Sequence, residues 1–261
     1  MSTMTRSDLG PEGRTLPKSL VAFDSGPADG PALVCIPWAG AGGAPFQAWA
    51  PVLDGTAAVH AVRLPGRESR IDEPLLNELE PIVEEVVRGV RALGDRPVAL
   101  FGLCSGALVA FEAARALGPG RVSLLAASQM PPAVAARVAT EELASREGLA
   151  ARYLPAELLA EPEMVELLIE VLEADIQAVS GYRHAPEPLD GVPVTVFRGA
   201  QDPEIGLAEM DGWHAETTGP VHILEVPGAD HLFTGAAWRG LAEQIGVRLR
   251  GALTMESSGV E

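Results

Sequence analysis

Residues 98–117 read VALFGLCSGALVAFEAARAL, and the rest of the chain is organised around this stretch. It opens with an apolar segment that predicts a strand, and the spacing of apolar residues towards Leu117 predicts a helix. Between them stands the turn Gly102-Leu103-Cys104-Ser105-Gly106. A strand, a tight turn and a helix in this order are the context of the G-x-S-x-G nucleophile elbow. Here the central position holds a cysteine.

Two glycines flank Cys104 at the positions where a side chain would clash with the sharp turn or with the start of the helix. We expect the turn to lift the Cys104 sulfur above the sheet edge, facing the backbone N–H groups that follow. The partial positive charge of the helix N-terminus stabilises a thiolate there. Ser105 stands one place out of register, so we expect it to contribute its backbone N–H and not its hydroxyl.

Composition limits the classes of protein and of partner. The chain has 261 residues, 47% of them hydrophobic, which suits a single α/β domain spanning residues 1–261. With 36 acidic and 19 basic residues, the formal net charge of −17 argues against nucleic acid and anionic membranes as partners. Two cysteines make no disulfide framework, and the sequence shows no signal segment and no apolar run of membrane-spanning length. We therefore expect a cytoplasmic protein.

Seven short apolar or β-branched runs predict the strands of one sheet. The last four are separated by long segments, as parallel pairing requires, so we expect a mostly parallel sheet flanked by helices. The runs are Leu20–Phe23, Ala32–Pro37, Ala57–Val62, Pro97–Phe101, Val122–Ala127, Pro193–Phe197 and Val221–Val226.

Helical apolar spacing is clear at residues 75–93, 164–179 and 238–249. The second of these falls within residues 131–190, a segment with room for about three helices and far longer than a crossover between two strands needs. We expect this segment to be a helical lid over an apolar cavity, with a plain packing role as the alternative. Residues 1–17 and about 252–261 are polar or rich in glycine and serine, and we expect them to be flexible.

Four sequence features follow predicted strands, at the edge where open parallel sheets bind ligands. They are the turn at 37–40, Cys104, Asp202 and His231. The order nucleophile, acid, histidine is the one that α/β-hydrolases use. In such a triad His231 takes the thiol proton and later protonates a leaving group, while Asp202 fixes the imidazole tautomer.

The turn WAGAGG at residues 38–43 predicts a second element of the same site. The backbone N–H of Ala39 would join that of Ser105 in stabilising an oxyanion. Trp38 and Leu103, which immediately precede Ala39 and Cys104, are the candidate substrate-binding residues.

Each assignment has a structural alternative. A cysteine in an apolar segment is usually a core residue, which we expect of Cys35 in the middle of a strand but not of Cys104. Asp230 is adjacent to His231 and is expected to be a surface or capping residue. The other histidines have structural or surface positions in the predicted fold: His60, His184, His214 and His222. Neither cysteine has metal-ligand spacing to a histidine, so we expect no metal and no cofactor.

Taken together, the motifs resemble the type II thioesterases that accompany polyketide synthases and nonribosomal peptide synthetases. The resemblance runs from about Leu33 to Leu249 and rests on LVCIPWAGAGG, AVRLPGRESR, FGLCSG, GAQDP and VPGADHLF. It implies an α/β-hydrolase fold with a mobile helical lid over an acyl pocket. It also implies thioester substrates on the phosphopantetheine arm of an acyl or peptidyl carrier protein. Arg63, Arg67 and Arg70 are candidate contacts to such an acidic carrier, with local ion pairs as the alternative.

Two departures from the family pattern affect the predicted chemistry. Cys104 stands where most members have serine, and Trp38 stands where the motif usually has histidine. We expect the Trp38 indole to narrow the pocket or restrict water, with a structural packing role as the alternative. Attack by cysteine on a thioester gives another thioester of nearly equal free energy, and exchange with a second thiol stays reversible. We expect thioester hydrolysis; the alternative is an acyl or aminoacyl transferase, or a cyclase, using the same Cys104 intermediate. A binder that has lost catalysis is a third possibility, against which the retention of Asp202 and His231 argues.

Overall fold

A seven-stranded sheet forms the centre of the computed structural model, which describes residues 16–23, 26, 27, 30–138 and 162–257. The strand order is β1-β3-β2-β4-β5-β6-β7; β1 pairs antiparallel with β3, and every other pairing is parallel. The mostly parallel sheet predicted from the sequence is confirmed. The strands are β1 (Leu20–Ala22), β2 (Ala32–Ile36), β3 (Ala58–Val62), β4 (Val98–Leu103), β5 (Val122–Ala127), β6 (Val194–Gly199) and β7 (Val221–Val226).

Helices cover both faces of this sheet. The side chains of β2 alternate between two apolar clusters: Val34 joins the cluster that holds helices α1 and α2, and Leu33 joins the one that holds α6. Burial on both faces explains why the central strands read as continuous apolar runs. The helices are α1 (Leu79–Ala92), α2 (Ser105–Leu117), α3 (Pro132–Val138), α4 (Pro162–Ser180), α5 (Leu207–Met210) and α6 (Ala236–Ser257).

Helix boundaries differ from the predicted ones at two places. Helix α1 begins at Leu79 and not near Leu75, because Pro81 lacks an N–H and its ring would clash with a helical carbonyl four residues earlier. Leu75 instead packs its side chain against Gly66. At the other end of the chain, helix α6 continues to Ser257, into the segment that composition predicts to be loose.

The predicted lid segment, residues 131–190, is described in part. It contains α3 and α4, and residues 139–161 of it lie outside the described residues, as do residues 1–15 of the predicted flexible N-terminus. Across the portions of the chain that are described, no helix is both long and apolar enough to cross a membrane.

Candidate active site

Cys104 occupies a sharp turn between β4 and α2. Its backbone has φ 53° and ψ −124°, and residues other than glycine rarely adopt a positive φ. Its N–H donates to the carbonyl of Ala127 at 2.9 Å. A Cβ at Gly102 would lie 2.2 Å from the Gly106 carbonyl oxygen, and one at Gly106 would lie 2.4 Å from that of Pro37. The turn therefore needs glycine at both positions, because no side chain fits between these backbone segments.

His231 lies within hydrogen-bonding distance of Cys104 and is paired in turn with Asp202. The imidazole Nδ1 of His231 is 2.9 Å from the Oδ2 of Asp202, whose side chain is fully buried. Two hydrogen bonds hold Asp202 in place. Its backbone N–H donates to the carbonyl of Gly199, and its Oδ1 accepts from the N–H of Glu204. With Nδ1 bonded to a carboxylate, Nε2 is the imidazole nitrogen available for proton exchange with the cysteine.

The pKa of His231 reflects these neighbours. Burial of the imidazole lowers its pKa, but hydrogen bonding and charge from Cys104, followed by those from Asp202, outweigh burial and raise the pKa to about 9. An imidazolium is thus favoured at neutral pH.

The backbone N–H groups of Ala39 and Ser105 are the candidates for an oxyanion hole. Ser105 is the first residue of α2, so its N–H has no acceptor within that helix. The N–H of Ala39 has no hydrogen-bond acceptor among the residues that the structure describes. Ala39, Ser105 and Cys104 all line one cavity. These are the two N–H groups that the sequence predicts as oxyanion-hole donors. Both are available to donate hydrogen bonds to an oxyanion on a group bound to Cys104.

The cavity next to Cys104 has a volume of about 580 Å³. Cys104 and His231 lie in its wall, Trp38 lines it, and helices α3 and α4 contribute to its apolar surface. That surface includes Leu108, Met130, Ala135, Ile176, Val179 and Leu232. An apolar cavity of this size next to a nucleophile suits an acyl chain.

The two predicted substrate-binding residues have different positions. Trp38 faces the cavity and packs edge-on against Trp238, with ring centroids 5.9 Å apart. Leu103 is fully buried in the apolar core and does not line the cavity. As the last residue of β4 it points into the core, because successive strand residues alternate in direction.

The three arginines predicted to bind a carrier are engaged with neighbouring residues. Arg70 is 7% exposed and pairs with Glu73 and Glu85, and Arg63 pairs with Glu68. Arg67, also 7% exposed, makes a two-pronged ion pair with Asp175 of α4, with both N–O distances 2.7 Å. For Arg67 and Arg70 the structure therefore agrees with the alternative, a local ion pair. Side chains this deeply buried cannot contact a carrier protein at the surface.

The competing residues have structural surroundings. Cys35 is fully buried, and burial raises the pKa of its thiol well above the ordinary value, so the thiol stays neutral. Asp230 accepts hydrogen bonds from the N–H and hydroxyl of Thr234. The Oε2 of the buried Glu216 accepts a hydrogen bond from the Nε2 of His184 at 2.7 Å. Burial lowers the pKa of His60 to about 4.

Asp175 is a site residue that the sequence reasoning missed. Its carboxylate binds Arg67 and also accepts from the N–H of Gly40, next to Ala39, at 2.8 Å. A signal was present: Asp175 follows Val171 by four residues and Leu172 by three, so a charged residue stands on the apolar face of a helix.

Comparisons with known proteins identify the family. A family model for the thioesterase domain matches residues 31–248. The thioesterase PikA5 of Streptomyces venezuelae is 30% identical over 85% of this chain and 82% of its own length. The gramicidin S biosynthesis protein GrsT of Aneurinibacillus migulanus is 29% identical over 77% of this chain and 82% of its own.

A solved structure extends the likeness to the fold. The type II thioesterase BorB from the borrelidin biosynthetic cluster is 25% identical and superposes with a TM-score of 0.76, covering 90% of this chain and 98% of that one. The predicted α/β-hydrolase fold is confirmed by this match. Sequence and fold together show that the chain belongs to the thioesterase domain family, and the resemblance to type II thioesterases is confirmed.

Proposed function

We propose that this protein hydrolyses acyl thioesters carried on the phosphopantetheine arm of an acyl or peptidyl carrier protein in polyketide or nonribosomal peptide biosynthesis. The observation that carries the proposal is the placement of Cys104 at a strained elbow beside the His231–Asp202 pair and an apolar cavity. The relatives support the pathway: GrsT is named for gramicidin S biosynthesis and BorB for the borrelidin cluster.

Acylation is the first half of the proposed reaction. His231 takes the proton of the Cys104 thiol, and the sulfur attacks the thioester carbonyl carbon. The carbonyl electrons move to oxygen, and the N–H groups of Ala39 and Ser105 donate hydrogen bonds to the oxyanion. When the intermediate collapses, the bond from carbon to the pantetheine sulfur breaks and His231 gives its proton to the departing thiolate. The products are an acyl-Cys104 thioester and a free carrier thiol.

Hydrolysis is the second half. His231 takes a proton from water as the water oxygen attacks the acyl carbon. The same two N–H groups donate hydrogen bonds to the oxyanion that forms. Collapse breaks the bond from carbon to the Cys104 sulfur, which leaves with the proton from His231. Asp202 keeps the imidazole in one tautomer and stabilises its positive charge in both halves.

The cysteine favours a second candidate function. Because acyl-Cys104 is itself a thioester, a second thiol can take the acyl group with little change in free energy, and an amine can take it in a downhill step that forms an amide. An acyl or aminoacyl transferase, or a cyclase, would use the same first half of the reaction and replace water in the second.

The test compares acid release from an acyl-pantetheine and from the same acyl group on a holo-carrier protein. We expect wild-type protein to release free acid, with a higher kcat/KM for the carrier-bound form. Cys104→Ala should lower turnover by at least about 10²-fold, since the covalent route is lost. Cys35→Ala, which removes the buried thiol, serves as the matched control and should stay active.

Three results would contradict the proposal. Turnover that survives in Cys104→Ala would exclude Cys104 as the nucleophile. An acyl group that moves to a second thiol or amine without acid release would favour the transferase. Binding of acyl-carrier without any chemistry would favour a non-catalytic binder.

A further inference from the structure

The loop that carries Ala39 is held by side chains from outside the catalytic set. Three hydrogen bonds anchor it: the N–H of Gly40 donates to Asp175 at 2.8 Å, Arg67 donates to the carbonyl of Ala41 at 2.9 Å, and the N–H of Ala44 donates to Glu68 at 2.9 Å. Every backbone group bound in this way lies within five residues of Ala39. The loop has little freedom to shift while these bonds are in place.

Arg67 and Asp175 act as one unit in this arrangement. Their two-pronged pair is buried, with side chains 8% and 7% exposed, so neither charge has ready access to water. The carboxylate oxygen that receives the Gly40 N–H also receives an Arg67 N–H, and the same Arg67 nitrogen reaches the Ala41 carbonyl. Two consecutive residues of the loop are thus fixed by the two partners of one ion pair.

The pair also joins the loop to helix α4. Asp175 belongs to this helix, whereas Arg67 belongs to the loop after β3. Helix α4 packs directly on the Ala39 loop: a Cβ at Gly40 would lie 3.3 Å from the Leu172 side chain, and Ala39 forms an apolar cluster with Ile169 and Leu172. The position of the loop and the position of α4 therefore depend on each other.

We propose that Arg67 and Asp175 are positioning residues that aim the Ala39 N–H at the reacting oxygen and complete the oxyanion hole only when α4 is seated. This inference rests on the proposed function, since an oxyanion forms only if Cys104 is acylated. Helix α4 also lines the acyl cavity through Ile176 and Val179. An acyl chain that packs against α4 would thereby favour the conformation in which the oxyanion donor is in place.

The test measures two rates on the same thiol. Alkylation of Cys104 by iodoacetamide needs the Cys104–His231 pair but no oxyanion hole, whereas acylation by an excess of acyl-pantetheine needs both. Misplacing an oxyanion donor by about 1 Å costs on the order of 10²-fold in rate. In Asp175→Asn we expect maximal acylation to fall by about 10²-fold, with the alkylation rate and the half-saturating acyl-pantetheine concentration each within about threefold of wild type.

A second variant guards against loss of folding. Asp175→Asn leaves Arg67 buried with a neutral partner, but Arg67→Met combined with Asp175→Leu replaces the pair by apolar side chains, a change that proteins often tolerate. The double variant still deprives Gly40 and Ala41 of their partners, so it should fold and show the same selective loss of acylation. Glu170→Gln removes an exposed carboxylate from the same helix and is the control expected to match wild type.

The outcomes separate this inference from the proposed function. If the folded variants lose alkylation and acylation equally, or lose only affinity for acyl-pantetheine, the pair has a structural role and the inference is wrong. Unchanged acylation in both variants overturns it as well. If wild-type protein is alkylated but is not acylated by any acyl thioester, it is the proposed function that fails.

Discussion

The charge state of His231 provides the most detailed test of the Cys104–His231 pair. Its pKa is raised from 6.5 to about 9, and this difference corresponds to about 3 kcal/mol in favour of the imidazolium. Burial of the ring opposes the rise, and Cys104 contributes more to it than Asp202 does. Replacing Cys104 with alanine removes the larger contribution and leaves the penalty of burial in place. We therefore expect the pKa of His231 in Cys104→Ala to fall clearly below its value of about 9 in the wild-type protein.

The assay is an NMR titration of the His231 Cε1–H resonance between about pH 5 and 10.5. The chain has five histidines, so the resonance is assigned by its absence in His231→Gln. In wild-type protein the ring should stay protonated through neutral pH and lose its proton as the pH rises through about 9. In Cys104→Ala it should lose the proton at a clearly lower pH than in the wild-type protein, while Cys35→Ala should behave as wild type. A value near 9 in Cys104→Ala would refute the reasoning, because Asp202 alone would then hold the charge.

Three further predictions concern the residues around the site. His231→Gln should lower turnover by about 10²- to 10⁴-fold and slow alkylation of Cys104, and normal rates would exclude His231 as the acid–base group. Gly102→Ala should lower the free energy of unfolding in urea by about 2–3 kcal/mol, because its Cβ would meet backbone atoms 2.2 and 2.5 Å away. Gly240→Ala is its control, with nothing within 4 Å, and should be neutral or stabilising; equal effects would contradict the packing argument. Glu216→Ala should reduce stability by about 1–3 kcal/mol, since this buried carboxylate binds both His184 and the N–H of Ala133, and an unchanged melting temperature would contradict that role.

Local sequence patterns predicted the fold well because strands and turns depend on near neighbours. All seven apolar runs became strands, each within two residues of the predicted bounds. The need for glycine at the elbow was predictable for the same reason. Gly102 and Gly106 are only four positions apart in the sequence, so their close approach is a local feature of the turn. The start of α1 could also have been placed correctly, because Pro81 excludes a helix that begins much earlier.

Side-chain partners that are distant in the chain were not predictable in the same way. Arg67 and Asp175 are separated by 108 residues, and nothing near Arg67 in the sequence shows that its charge is neutralised internally. An arginine in a polar loop therefore looked like a surface contact. Leu103 illustrates a different difficulty: its neighbour Cys104 faces the cavity, but the direction of a side chain at the end of a strand depends on where the turn begins.

The measurement that tests the central claim most directly is intact-protein mass spectrometry of the wild-type chain mixed with an acyl-pantetheine, sampled from milliseconds to minutes and followed by peptide mapping. We predict a transient mass increase equal to the acyl group, located on the peptide that contains Cys104, which disappears as free acid accumulates. Free acid with an adduct on another residue, or acid released at the wild-type rate by Cys104→Ala, would contradict a cysteine nucleophile at this elbow.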